Sequence, residues 1–223
     1  MEYVQVTLFD QPIEELLETV REEIDGYQYD PVKHSIMLKD DQQELMGMIR
    51  LPLAYHIDEH LHLITDRATV LYLAIESGNA ALIMTEGEEI IYHTTFSAYM
   101  TRKKQGFSQI KYLNKKGKSR AGSRVRLAET TEFFEKINST LNQILEEEVI
   151  DRLALSCSKS LIPHVYQSKV SFPLEKGDSK LYKIPLHIPQ CNYTNLEKAI
   201  KKLKDPVLFY DEQYADNIQS LLE

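Results

Sequence analysis

Ten basic residues stand between positions 102 and 126: Arg102, Lys103, Lys104, Lys111, Lys115, Lys116, Lys118, Arg120, Arg124 and Arg126. No Asp or Glu interrupts them. Cations at this density suit a polyanion, because each phosphate they contact releases counterions and ties affinity to ionic strength. The stretch is poor in apolar residues and holds Gly106, Gly117 and Gly122, so it reads as a long mobile loop with no core of its own. The plainer alternative is a solvated, self-repelling loop that only keeps the chain soluble. Charge alone does not choose between DNA, RNA and lipid.

The remainder of the chain holds the other 16 basic residues and all 34 acidic ones, a balance of −18 within a total of −8. A positive block on an acidic body makes a strongly dipolar molecule. The body then disfavours indiscriminate binding to nucleic acid.

Two weaker constellations compete with the basic block. His56 and His60 are spaced i, i+4 beside Asp58, Glu59 and His62, which on a helix would turn two imidazoles toward one metal. There is no H-E-x-x-H pattern, so surface or partly buried histidines are the expectation and no metal site is assigned. Cys157 precedes Ser158, with His164 nearby in the chain, but a nucleophilic thiol needs a partner that spacing does not place. A small buried residue at a strand end is the expected role. Neither G-x-x-x-x-G-K-[ST] nor G-x-G-x-x-G occurs, so no nucleotide or other cofactor is expected.

Composition sets the outer limits. The chain has 223 residues, 43% of them hydrophobic, which suits one large domain or a domain with an appendage. No apolar run approaches the roughly 20 residues that span a bilayer, so no membrane partner is expected. The start, MEYVQVTLFD, lacks a basic n-region and an apolar h-region. Two cysteines make neither a disulfide framework nor a four-Cys zinc site. Together these point to a cytoplasmic location.

Periodicity supplies the elements that must position the basic block. A short strand is expected over about 2–9, then a helix to about Ile24 capped by Asp10, with Pro12 in its first turn and Ile13, Leu16, Leu17 and Val20 on one face. A strand at 34–38 and a short helix at 42–49 would complete a small N-terminal α/β appendage over 1–62, in which no chemistry is evident. From Ala68 the pattern sharpens. ATVLYLAIES and AALIMTEG read as buried strands, turning at Glu86-Gly87 into a third, EEIIYHTTF. Beyond the basic block, Thr130 or Thr131 would cap a long helix to about Glu148, with Phe134, Ile137, Leu141 and Ile144 at a period of 3.6. A strand at 152–156, a helix at 159–167, a strand at 181–187 and a helix at 192–203 follow. The fold class is α/β, a mixed sheet flanked by helices.

At the centre of the basic block the sequence resembles a family. Residues 99–126 are similar to the release-factor-like domain of the Vms proteins, which act in ribosome-associated quality control. That family shows an aromatic before R-x-K-Q-G-G-[ST]-Q, a variable basic linker, then S-A-G-x-x-L-R-R. Arg102, Lys104, Gln105, Gly106, Ser108 and Gln109 match the first part. Ala121, Gly122 and Arg126 match the second, with Val125 in place of Leu. The paired strands before the loop, LALSCSKS, LYKIPLHIP and the helix NLEKAIKKL fall in the family's order, so the resemblance runs from about Ala68 to Leu203.

The resemblance implies an RNase H-like core related to the central domain of eukaryotic and archaeal peptide-release factors. It also implies a catalytic domain over 63–207 carrying the loop 100–126; the remaining 208–223 are expected as a C-terminal helix, read along the chain as a short helix near Asp211 to Leu222. The partners it implies are peptidyl-tRNA and large-subunit ribosomal RNA, with no DNA. The reaction it implies is release of the nascent chain, by ester hydrolysis or by cutting the tRNA near its 3′ CCA end. Gly106, Ser108 and Gln109 would form the catalytic tip and the ten cations would hold RNA. Gly106 gives a thin tip access to positive φ. The Gln109 amide both donates and accepts, so it can orient a water or a ribose 2′-OH; it does not titrate and is no ordinary general base. One position departs from the pattern. The family's second glycine is Phe107 here, which adds bulk and restricts φ, and whose ring can stack on an exposed base for roughly 1–3 kcal/mol. A binding module whose loop is retained but silent therefore stays open beside the enzyme.

Overall fold

The computed structural model describes residues 3–8, 11–24, 26–98 and 118–222, with 3, 118–129 and 220 as backbone only. In chain order the elements are β1 (Tyr3–Thr7), α1 (Ile13–Glu23), β2 (Gly26–Asp30), β3 (Ser35–Lys39), β4 (Leu45–Arg50), β5 (His56–Ile57), β6 (Leu63–Thr65), β7 (Thr69–Glu76), β8 (Asn79–Glu86) and β9 (Glu89–Ser97). There follow α2 (Lys118–Glu147), β10 (Arg152–Cys157), α3 (Ile162–Tyr166), β11 (Leu181–Lys183), α4 (Tyr193–Lys202), β12 (Val207–Asp211) and a 3-10 helix (Glu212–Leu221). Among the described residues no helix is long and apolar enough to cross a membrane.

The strands β7, β8 and β9 form an antiparallel meander, to which β10 and then β11 add in parallel, in the order β11-β10-β7-β8-β9. The sheet is mixed and helices flank it. Leu71, Leu73 and Ile75 of β7 face α2 through Phe134, Ile137 and Leu141. The alternate residues Val70, Tyr72 and Ala74 face α4 through Leu196, Ala199 and Ile200. Burial on both faces explains why β7 and β8 read as unbroken apolar runs rather than alternating ones. The turn after β8 carries Gly87 at φ +58, a conformation in which a side chain is strained.

A second sheet has the order β1-β12-β4-β3-β2 and is antiparallel throughout. Leu16, Leu17 and Val20 of α1 cover one face of it, with Ile218 and Leu221 of the 3-10 helix.

Four expectations change. Residues 42–49 do not form a helix; β4 runs there as a strand between β3 and β12. Leu and Met are good helix formers, but pairing on both edges overrides propensity. The short helix expected near Asp211 to Leu222 is there as a 3-10 helix, but the residues before it form β12, a strand that was not expected. Helix α2 begins at Lys118, so Thr130 and Thr131 lie inside it rather than at its cap, and the stretch 118–126 is helical instead of loop. Lys, Arg and Ala favour helix there, and Gly122 is tolerated. The strand expected over 181–187 closes at Lys183, two residues before Pro185. Helix α1 starts after Pro12, in agreement with the expected start, and the Asp10 expected to cap it lies outside the described residues.

Candidate functional site

Gly106, Phe107, Ser108 and Gln109 lie in 99–117, outside the described residues, as do Arg102, Lys103, Lys104, Lys111, Lys115 and Lys116. Lys118, Arg120, Arg124 and Arg126 fall on the first turns of α2, whose opening turn contains no acidic residue. What the structure gives is the mounting on either side of the segment.

On one side stands β9. It pairs with β8 along its length, and the Ala98 N–H donates to Gly78 O at 2.8 Å, so the backbone is held up to the last described residue. On the other side stands α2, 30 residues and roughly 45 Å long. Its second half is fixed to the fold. Phe134 is fully buried and stacks on the His164 ring with 5.6 Å between centroids. Asn138 is fully buried, and its Nδ2 donates to Val165 O at 2.9 Å and Val170 O at 2.8 Å. One turn on, the Asn142 amide donates to Ser171 O at 2.9 Å. Among the described side chains of α2, burial starts at Phe133, fifteen residues after Lys118.

A cleft of about 410 Å³ lies where the two mountings meet, between Thr95–Ala98 and Glu132, Phe133 and Lys136. Lys136 pairs with Glu132 at 2.8 Å and holds that carboxyl below its usual pKa. Glu132, on the wall of this cleft, is thus paired with a cation one turn away.

The competing constellations resolve differently from the helix picture. His56 begins β5, while His60 and His62 sit in the turn before β6. Asp58 organises that turn: its carboxylate accepts from the His60 and His62 N–H groups at 2.9 and 2.8 Å and lies 3.0 Å from His62 Nδ1. His56 instead faces Asp151 at 3.7 Å. No cluster of three or more His, Cys, Asp or Glu suited to a metal occurs among the described residues. Burial pushes the Cys157 thiol up to about 11, which disfavours the thiolate a nucleophile needs. His164 is engaged with Phe134.

Sequence reasoning found no chemistry in the first 62 residues, yet the junction of the two sheets gathers polar groups there. Arg152, on β10, is 4% exposed; its Nη1 donates to Leu53 O and, at 2.7 Å, to Tyr55 O, and its guanidinium lies 5.6 Å from the Tyr182 ring centre. Tyr182 donates to Pro31 O at 2.9 Å. Fully buried His34 sits beside them. Arg50 and Ser35 line a cleft next to this junction. No local pattern announces these residues, because their meeting depends on partners from β10 and β11.

A family model described as "bVLRF1: Bacteroidetes VLRF1 release factor" matches residues 70–208, more than half of the chain. Among solved structures, one titled "Vms1 mitochondrial localization core" aligns with TM-score 0.45 at 13% identity, over 90% of this chain and 95% of that one. No curated protein matches. On the extent of the family match, the chain belongs to the VLRF1/Vms1-type release-factor-like family, part of ribosome-associated quality control.

Proposed function

We propose that the chain is a translation-rescue factor of the cytoplasm that frees nascent chains from peptidyl-tRNA on stalled large ribosomal subunits. Family membership supports the general role in ribosome or tRNA rescue. The observation that carries the finer reading is the Gly106-Phe107-Ser108-Gln109 tip set among ten cations and no acid. A mixed sheet with a helix against each face supports an RNase H-like release-factor core over 63–207, to which 1–62 are appended.

In this reading Arg102, Lys104, Arg124 and Arg126 hold phosphates, which positions the tip without reading sequence. Gln109 then orients the attacking group. In ester hydrolysis a water oxygen bonds to the ester carbonyl carbon and the bond to the ribose oxygen breaks. The peptide leaves as a carboxylate and the tRNA keeps its terminal hydroxyl, while a backbone N–H stabilises the developing oxyanion. In phosphodiester cleavage a ribose 2′-OH attacks the adjacent phosphorus, the P–O5′ bond breaks, and a cyclic phosphate remains on a shortened tRNA. Ribosomal RNA and the substrate supply much of the surrounding environment.

The test is release of a labelled peptide from peptidyl-tRNA on isolated large subunits. Gln109→Ala is expected to lower the rate by roughly 10²–10³, the range for losing one positioned polar group; release at the parental rate removes Gln109 from the chemistry. Intact CCA after reaction identifies hydrolysis and a shortened end identifies cleavage. A second reading, a binding module without chemistry, is favoured by Phe107 at the tip. It gives salt-sensitive co-sedimentation with large subunits and no product from any tRNA.

A further inference from the structure

The sheet built from β1, β12, β4, β3 and β2 has a second face. Ile36, Leu38, Ile49, Leu208 and Tyr210 point to α1 and the 3-10 helix. Strand alternation turns Ser35, Met48, Arg50 and Phe209 the other way. That face meets the segment following β11, Ile184 to Leu186, across a cleft of about 400 Å³. The size falls in the range of small-molecule sites, roughly 300–1,000 Å³.

Ser35 and Arg50 are cross-strand partners, so their side chains stand side by side in this cleft. Ser35 is 1% exposed and its hydroxyl has no hydrogen-bond partner among the described residues. Arg50 Nε is also buried without one, and its Nη2 reaches Asp205 O only at 3.4 Å. Buried hydroxyls and guanidinium N–H groups are normally satisfied, so two adjacent orphans call for a partner. Burial also pulls the Arg50 pKa down, the Asp205 charge opposing it, so this guanidinium gains from a further anion. The exposed Lys183 lines the opposite wall, and Lys33 stands at the mouth, paired with Asp30 at 3.4 Å. Among the described residues no Asp or Glu lines the cleft, in a chain of net charge −8. Met48, Leu53, Ile184, Leu203 and Phe209 make the remaining walls apolar.

We propose that this cleft binds a small amphipathic carboxylate, its head held by Arg50 and Ser35 and its apolar body lying on Met48, Phe209 and Ile184. The Nε and Nη edge of a guanidinium matches the two oxygens of a carboxylate. The Ser35 hydroxyl donates a third bond, and Lys183 adds positive charge at the opposite wall. Nothing in this recognition uses the segment 99–117, so the site stands apart from the rescue reading.

The probes are decanoate, below its micellar concentration, and decanol, each titrated calorimetrically into the full chain. Decanoate is expected to bind one saturable site, and decanol, with the same chain and no charge, at least roughly tenfold more weakly. Arg50→Gln is expected to weaken decanoate by a similar factor, and Met48→Trp to remove binding by filling the cleft. Should Arg50→Gln unfold, Lys183→Gln, on an exposed side chain, is expected to weaken decanoate severalfold with an unchanged circular dichroism spectrum. The site is overturned by no saturable heat with decanoate, by decanol binding as tightly, or by folded Met48→Trp and Lys183→Gln proteins that bind like the parent.

Discussion

The hydroxyl of Tyr29 lies 2.7 Å from Nδ1 of His34, which is fully buried. Nε2 of the same ring lies 2.9 Å from Pro52 O. A carbonyl oxygen only accepts, so Nε2 carries the proton and Nδ1 accepts from Tyr29. The ring is thereby fixed as one neutral tautomer. Burial, and then the charge of Arg152, push its pKa down to about 3, while burial raises Tyr29 to about 12.

This pair makes stability depend on pH. The unfolded chain takes up a proton at His34 near 6.5 and the folded chain only near 3. The contribution is therefore complete above about 6.5 and is lost as pH falls toward 3, by on the order of 1 kcal/mol per pH unit. His56 is shifted in the same direction, chiefly by burial, so the contrast must be made by mutation. His34 has φ 50, which Asn tolerates. Urea denaturation from pH 7 to 5 is expected to show a steeper loss in the parent than in His34→Asn. Equal slopes would remove His34 as the cause.

Gly47 is required by the spacing of β4 and β12. A Cβ there would sit 2.6 Å from Phe209 O and 3.1 Å from the Tyr210 Cβ. Backbone must shift to admit it, and overpacking of this kind costs about 1–3 kcal/mol. Gly47→Ala is expected to lower the unfolding free energy by that amount and with it the denaturation midpoint, while Gly177→Ala, which meets open space but has φ +87, loses stability through backbone strain alone. An undiminished midpoint for Gly47→Ala would contradict the close approach of the two strands.

Asn138 holds α2 against α3 and the chain after it with both of its amide protons. Asn138→Ala leaves the carbonyls of Val165 and Val170 without these donors, at a cost of about 2–3 kcal/mol. Asn138→Asp is expected to cost more at pH 7, because a carboxylate would then face two carbonyl oxygens. The gap between the two variants narrows at acid pH, where a protonated carboxyl donates once. Thermal melts at pH 7 and 5 read both effects.

Ribosome or tRNA affinity is expected to fall with salt. Replacing Lys115, Lys116 and Lys118 together by Gln should reduce the slope of log K against log salt by about 2, at roughly 0.7 for each phosphate contact to single strands. Binding measured across a salt series checks this. An unchanged slope would mean that these three lysines only solubilise the chain.

Strands β7 and β8 were legible because both of their faces are buried and turns at Gly78 and Gly87 punctuate the apolar runs. The second half of α2 was legible from Phe134, Ile137, Leu141 and Ile144, all on the buried face. β4 was not, since LMGMIR has helix-forming residues and becomes a strand only when β12, far along the chain, pairs with it. The cations of the candidate site are visible in any reading of the chain, because charge density is local. The orphaned Ser35 and Arg50 are not, because a cleft exists only once the outer face of one sheet meets the strand end of another.

β12 lies between β1 and β4 in the sheet order. Among the described residues the strand partner of β1 is β12, so β1 cannot complete its ladder until Val207–Asp211 have emerged, after the whole mixed sheet has been made. Long-range pairing of this kind is slow. Pairing of β1 thus reports on the whole span from Tyr3 to Asp211, because the two ends of that span close one ladder.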